Sequence, residues 1–119
     1  MRDDLLVEMM SEARRLSSLL DAGLKALREA ARDYAAAEAE YRKQRARALL
    51  QSTAGTVSER EAVADLESAD ARLARDTADG MRTAALEAVR SRRQQLSALQ
   101  SILAAHREEA AYDRTSGGR

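Results

Sequence analysis

Few side chains in this sequence have the chemistry of a catalytic or metal site. His106 is the single histidine, and Glu108 and Glu109 follow it closely. A di-iron site in a helical bundle needs two Glu-x-x-His units and two further glutamates, which one histidine in the reversed order does not supply. The chain has no cysteine for disulfides or zinc–thiolate sites, and Gly55 stands outside any glycine-rich phosphate loop. We therefore predict a protein that is not an enzyme and has no catalytic, cofactor or metal residues.

Clustered basic residues are the second chemically distinctive feature. Since 20 basic residues balance 20 acidic ones, only their distribution can favour a partner. One cluster follows Tyr34 and Tyr41, and the other lies after residue 89; their members are Arg42, Lys43, Arg45, Arg47, Arg90, Arg92 and Arg93. Cations on a strip with aromatics nearby suit a phosphate backbone and stacked bases, so these residues are candidate nucleic-acid contacts.

A second interpretation of the first cluster stays open. Its cations can neutralise the acidic residues 59–65 and can favour a helix C-terminus through the macrodipole. The second cluster has fewer acids nearby and is the better candidate for binding nucleic acid.

A heptad pattern predicts one long helix over about residues 3–50. Its seam alternates steps of three and four, with only Gly23 and Gln44 off-pattern. The predicted seam positions are Leu6, Met9, Ala13, Leu16, Leu20, Gly23, Leu27, Ala30, Tyr34, Ala37, Tyr41, Gln44 and Ala48. This spacing is typical of a coiled coil.

A short polar turn, about residues 51–56, precedes a second predicted helix over about residues 57–112. Thr56 and Glu59 have the spacing of a capping box, which satisfies the first free amides of a helix. The predicted second seam consists of Ala62, Leu66, Ala69, Leu73, Ala85, Val89, Arg92, Leu96, Leu99, Leu103, His106 and Ala110, with a stutter or bend around Thr77, Gly80 and Met81. Residues 114–119 contain Ser-Gly-Gly and are predicted to be a disordered tail.

The composition favours an all-α fold. Alanine, leucine, arginine and glutamate form helices readily, and the chain has no proline to interrupt them and no phenylalanine or tryptophan to fill a round core. A short loop makes long helices antiparallel, so residues 1–113 are predicted to form a single helical-hairpin domain, coiled-coil-like, with Tyr41 near Leu66 and Tyr34 near Leu73. A three-helix fold with a break at Gly23 is the alternative.

Apolar residues beside the seams predict self-association. They widen the apolar stripe beyond what one partner helix covers, although loose packing at its edge is an alternative explanation. We predict a homo-oligomer that forms a helical bundle. The predicted interface residues beside the seams are Leu5, Leu19, Leu24, Leu86 and Ile102.

Two segments resemble the UvsY type of phage recombination mediator. Residues 41–50, Tyr-Arg-Lys-Gln-Arg-Ala-Arg-Ala-Leu-Leu, form a basic helix end before the turn at Gly55. Residues 84–93, Ala-Ala-Leu-Glu-Ala-Val-Arg-Ser-Arg-Arg, and the following residues 94–103 are similar to the family's C-terminal helix. The resemblance spans roughly residues 30–112. It implies DNA contacts at Arg42, Lys43, Arg45 and Arg47. It also implies an assembly surface over residues 96–103, which adds Leu96, Leu99 and Leu103 to the predicted interface residues.

The resemblance implies a non-enzymatic, phage-type recombination accessory protein that binds single-stranded DNA and assists recombinase loading. The alternative is a structural or adaptor coiled coil, such as a phage assembly scaffold or a chaperone, that binds a protein partner through its helical surface. No apolar run approaches the roughly 18 residues that span a bilayer, and the N-terminus does not resemble a signal peptide. We therefore expect no membrane partner and a cytoplasmic location, in the host cell if a phage encodes the protein.

Overall fold

Nearly every residue that the structure describes is helical. The computed structural model describes residues 2–53 and 55–117. Helix α1 covers Arg2–Gln51, α2 covers Val57–Glu67 and α3 covers Ala69–Gly117, and the described residues contain no strand. The all-α prediction is therefore confirmed. No described helix has a stretch long and apolar enough to cross a membrane.

The seam of α1 lies where the heptad pattern predicts it. Each predicted position is buried or half-buried, and Leu16, Gly23 and Ala48 are the most covered. Off-seam apolar residues such as Val7 and Met10 are exposed. The helix continues through Gly23, so the three-helix alternative with a break at that glycine is wrong.

Helix α2 begins at the predicted N-cap residue, Thr56. Thr56 is the N-cap in an extended conformation, and its Oγ1 accepts a hydrogen bond from the Glu59 backbone N–H at 3.1 Å. The first intrahelical bond follows, from the Arg60 N–H to the Thr56 carbonyl oxygen at 3.0 Å. The side chain of Thr56 therefore satisfies an amide that would otherwise depend on water.

The predicted second helix is divided at Ser68, which corrects the uninterrupted range 57–112. The buried Ser68 hydroxyl donates to the Ala64 carbonyl oxygen at 2.6 Å, and the Ser68 backbone N–H donates to the same oxygen at 3.0 Å. A serine that bonds back to the preceding turn in this way commonly bends a helix. Helix α3 starts directly afterwards, with the Arg72 N–H donating to the Ser68 carbonyl at 2.9 Å.

The first part of the second seam is not where the leucines predict it. The predicted seam residues Leu66 and Leu73 are 78% and 67% exposed, while Ala64, Ser68 and Ala71 are buried. Ala62, Ala69 and Ala110 are exposed as well. One continuous series of covered positions keeps alternating steps of three and four: Ala64, Ser68, Ala71, Arg75, Ala78, Arg82, Ala85, Val89, Arg92, Leu96, Leu99, Leu103 and His106. The phase change predicted around residues 77–81 is therefore absent.

Contacts within the chain form two compact units, where the sequence predicts one domain. Unit 1 comprises Met1–Lys25 and Glu87–Arg119, and unit 2 comprises Ala26–Leu86. In unit 1, Leu6 lines a groove with His106, Leu16 lines a groove with Leu99, and Gly23 lies against Val89. Positions rise along α1 as they fall along α3, so the two helices of unit 1 are antiparallel.

Unit 2 is a helical hairpin whose tyrosines contact arginines. The guanidinium of Arg75 lies 4.4 Å from the ring centroid of Tyr41, and that of Arg82 lies 4.8 Å from the ring centroid of Tyr34. The predicted neighbours Leu66 and Leu73 are exposed instead. Small residues and flexible arginine stems accommodate two bulky rings in a thin seam better than leucines do.

Helix α3 continues to Gly117, which corrects the predicted disordered tail for residues 114–117. Arg114 Nε donates to the Ala110 carbonyl at 3.3 Å, and the Thr115 hydroxyl donates to the Ala111 carbonyl at 2.9 Å. A cation in the last turn also suits the negative end of the helix dipole. Gly118 and Arg119 lie outside the described residues.

Candidate nucleic-acid interface

Arg92 differs from the other two residues of the second basic cluster because its side chain lies in the seam of unit 1. Its Nη1 donates to the Leu19 backbone carbonyl at 3.1 Å. Gly23 makes room for it: a Cβ at that position would lie 3.1 Å from Arg92 Nη1 and 3.3 Å from Val89 Cγ2. Arg92 is therefore a packing residue of unit 1, whereas Arg90 and Arg93 are exposed.

Arg90 and Arg93 begin a row of exposed residues along α3. The row, called the basic row below, keeps steps of three and four and consists of Arg90, Arg93, Ser97, Gln100, Ala104 and Arg107. Residues 88–107 contain no acid. Within the described part of the chain, none of its three arginines makes an ion pair. At 1.5 Å per residue the row extends over about 25 Å.

Arg107 is the member of the basic row that sequence reasoning missed. The sequence does contain a signal for Arg107, because the stretch without acidic residues continues beyond Arg93 as far as Arg107. A search for adjacent arginines finds only the start of this stretch. The heptad spacing connects the three cations on one side of the helix.

Two of the four cations in the first basic cluster, which lies in unit 2, are paired with acids. Arg45 Nε donates to Asp65 Oδ1 at 3.1 Å, and Arg42 Nη2 donates to Glu38 Oε1 at 3.0 Å. Lys43 and Arg47 are exposed, and both lie close enough to Glu40 to act on it. The hydrogen bond from Gln44 is the main cause that lowers the pKa of Glu40, and the charges of Lys43 and Arg47 add to it. For Arg45 the geometry matches the interpretation that these cations balance the acids of residues 59–65.

Each of the two clustered tyrosines has one ring face covered, which reduces the surface left for base stacking. Tyr34 and Tyr41 are half-buried, and each ring is covered on one side by an arginine of α3. Burial is the main cause that raises the pKa of Tyr34, followed by its hydrogen bond to Glu38. Tyr112, which sequence reasoning did not single out, is 73% exposed and follows the basic row in α3. Its neighbours Glu108, Glu109 and Asp113 oppose a phosphate backbone there.

The predicted assembly residues differ in how far they are exposed. Leu103 is buried within unit 1, while Leu5 and Ile102 are each 49% exposed. The half-buried members are Leu19, Leu24, Leu86, Leu96 and Leu99. Leu103 therefore belongs to the packing of the helix pair, and Leu5 and Ile102 have the most surface left for a partner.

An apolar groove in unit 1 contains two of the predicted assembly residues. It has a volume of about 410 Å³ and is lined by Glu12, Arg15, Leu16, Gln95, Ala98, Leu99 and Ile102. At its edge Arg15 Nε donates to Glu12 Oε2 at 2.9 Å, which lowers the pKa of Glu12. Because this ion pair is internally neutral, the groove presents mainly its apolar side chains.

The described residues bring no group of three or more histidines, cysteines or acids together as a metal site. His106 is half-buried, with Nδ1 4.0 Å from Glu109 Oε2. Comparison of the chain with protein-family models, curated proteins and solved structures finds no match in any of the three.

Proposed function

We propose that this protein binds single-stranded DNA without catalysing a reaction, as an accessory of recombination that assists the loading of a recombinase. The basic row in unit 1 is its contact surface. The observation that supports this most is an acid-free helical stretch with three exposed arginines that make no ion pair within the described residues. The first basic cluster contributes less, since Arg42 and Arg45 already pair with acids.

The chemistry of the basic row suits phosphates. A guanidinium stays charged in proteins and can donate two parallel hydrogen bonds to a phosphate. Ser97 and Gln100 lie between the arginines and can donate further hydrogen bonds to backbone oxygens. Contacts to phosphates carry no sequence information, so we expect binding without sequence preference. Because the chain is neutral overall, attraction is local and is screened readily by salt.

The first prediction concerns the double variant Arg90→Glu/Arg93→Glu. We expect its affinity for a labelled single strand of about thirty nucleotides to fall at least tenfold at low salt, because two phosphate contacts become repulsive. The plot of log affinity against log salt should become shallower by about 1.4, at roughly 0.7 per lost contact. Fluorescence anisotropy at several salt concentrations measures both quantities.

A matched control changes the net charge equally at exposed positions outside the basic row. Arg14→Glu/Lys25→Glu should bind nearly as the wild type does. Each residue stands two positions from a seam residue of α1, Leu16 or Gly23, and therefore lies on the side of α1 away from α3. An equal loss of affinity in both variants would mean that net charge and not the basic row matters. A wild-type protein that ignores the oligonucleotide even at low salt would contradict the proposed function altogether.

The adaptor coiled coil is the second candidate, and the apolar groove of unit 1 favours it. A partner helix with apolar residues at heptad spacing could insert them between Leu99 and Leu16 beside Ile102. This candidate expects no DNA binding by the wild type. It also expects that binding of a protein partner, once identified, is lost on Ile102→Ser and unaffected by Arg90→Glu/Arg93→Glu.

A further inference from the structure

The two most exposed leucines of α2 and α3 form part of an ordered row on the outside of unit 2. Ala62, Leu66, Ala69 and Leu73 follow one another in steps of four and three, and all are exposed. We call these four residues the outer leucine row. Leu66 stands two residues after the fully buried Ala64, and two residues turn a helix by about 200°. The outer leucine row therefore points away from the seam.

Acidic residues flank the outer leucine row. Glu59, Glu67 and Asp70 are exposed, and within the described part of the chain they make no ion pair. Two outer leucine rows packed against each other would place these acids together, and like charges at an interface repel. The row therefore suits a basic helical face better than a copy of itself.

The outside of α1 in unit 2 has the complementary character. Exposed residues at heptad spacing form the α1 basic face, which consists of Arg32, Ala36, Ala39, Lys43, Ala46 and Leu50. Leu50 is 88% exposed, and neither Arg32 nor Lys43 makes an ion pair within the described residues. Next to this face, Ala46 and Leu49 line an open hollow of about 330 Å³ that can receive an apolar side chain.

We propose that the outer leucine row of one molecule packs on the α1 basic face of a second copy of this chain. Leu66 and Leu73 would cover the exposed alanines and Leu50, while Glu67 and Asp70 would approach Arg32 and Lys43. The contact joins two different surfaces, so each molecule in a pair keeps one unused surface and can add another copy. This self-association involves neither the basic row nor DNA and does not depend on the proposed function.

The second prediction tests this contact with Leu66→Ser/Leu73→Ser in the full chain. Both leucines are largely exposed, so helicity measured by circular dichroism should not change. The dissociation constant for self-association, measured by sedimentation velocity, should rise at least about a hundredfold, since burial of each leucine corresponds to at least a tenfold effect. Val57→Ser/Met81→Ser is the matched control. It also removes two exposed apolar side chains of unit 2, at 73% and 66% exposure, outside the outer leucine row.

Mixing two variants tests whether the two surfaces differ. Leu66→Ser/Leu73→Ser keeps the α1 basic face, and Ala39→Glu/Lys43→Glu keeps the outer leucine row. Each variant alone should sediment as a monomer, and an equimolar mixture should form a one-to-one dimer and nothing larger. The proposal is overturned if the wild type is monomeric at high micromolar concentration, if Leu66→Ser/Leu73→Ser associates as the wild type does, or if the mixed variants do not pair. DNA binding by the wild type, scored separately by anisotropy, shows whether the proposed function stands or falls independently.

Discussion

At the residue scale, Gly23 is a seam position that requires a small residue rather than a bulky apolar one. Buried Val89 and the Arg92 guanidinium both come within 3.3 Å of where its Cβ would be. An alanine there can displace the flexible arginine, but a leucine must also displace Val89. We expect Gly23→Leu to lower the free energy of unfolding by about 1–3 kcal/mol, as overpacking does. Urea denaturation followed by circular dichroism measures this third prediction.

Gly80 provides the control for Gly23 because it lies in helix α3 with no heavy atom near its own missing Cβ. Gly80→Ala should raise the free energy of unfolding by about 1 kcal/mol, since glycine is a poor helix former. Equal stability of the wild type and Gly23→Leu would show that the close approach of Arg92 and Val89 is not needed.

The side-chain roles of the cations could be predicted only in part. Adjacent positions such as Arg92 and Arg93 have the same residue type, yet one lies in the seam and the other is exposed. Their separation depends on the register of α3 against α1, which the local sequence does not contain. The same holds for Arg45, whose partner Asp65 is twenty positions away along the chain.

At the scale of elements, the contribution of the Thr56 N-cap at the start of α2 can be measured directly. Thr56→Ala removes the acceptor for the Glu59 N–H and should lower the free energy of unfolding by about 1 kcal/mol. Thr83→Ala is the control, an exposed threonine inside α3 whose replacement should be neutral or slightly stabilising. Urea denaturation compares them, and an equal effect of both changes would contradict this fourth prediction.

The two long seams were not equally predictable. Leucines and tyrosines mark the seam of α1, and every predicted position is covered. In α2 and the start of α3 the leucines lie outside, while Ala64, Ser68 and Ala71 lie inside. A search for the bulkiest heptad residues therefore finds the wrong face, because Tyr34 and Tyr41 leave room only for small or flexible neighbours. The division at Ser68 was also hidden, since it depends on one buried hydroxyl.

At the scale of the whole molecule, folding and assembly should be linked if the chain self-associates. Association stabilises the folded form by mass action. As the fifth prediction, we expect the Tm of the wild type to rise with protein concentration and the Tm of Leu66→Ser/Leu73→Ser to depend on it less. Thermal circular dichroism over a hundredfold range of concentration provides the measurement. A wild-type Tm that stays constant over that range would contradict the linkage.

Composition and periodicity were sufficient to predict an all-α chain, because helix propensity and heptad spacing are local properties. They were not sufficient to select the contact surface. From the sequence alone, the seven cations of the two clusters are equally good candidates for phosphate contacts. Only the folded arrangement shows that Arg42 and Arg45 are paired with acids, while Arg90 and Arg93 are exposed without ion pairs among the described residues.

The repeated arginine–tyrosine contacts of unit 2 have a consequence for the kinetics of folding. Tyr34 and Tyr41 are seven positions apart, and so are Arg75 and Arg82. A hairpin misaligned by one heptad would place Arg75 over Tyr34 and so retain one of the two contacts, and such a partly satisfied alignment can act as a kinetic trap. The ion pair between Arg45 and Asp65 forms only in the native alignment. It joins residues closer together in sequence than either arginine–tyrosine contact does, so it closes the shortest loop of the three. We therefore expect that closure next to the turn selects the native alignment before the rest of the hairpin forms.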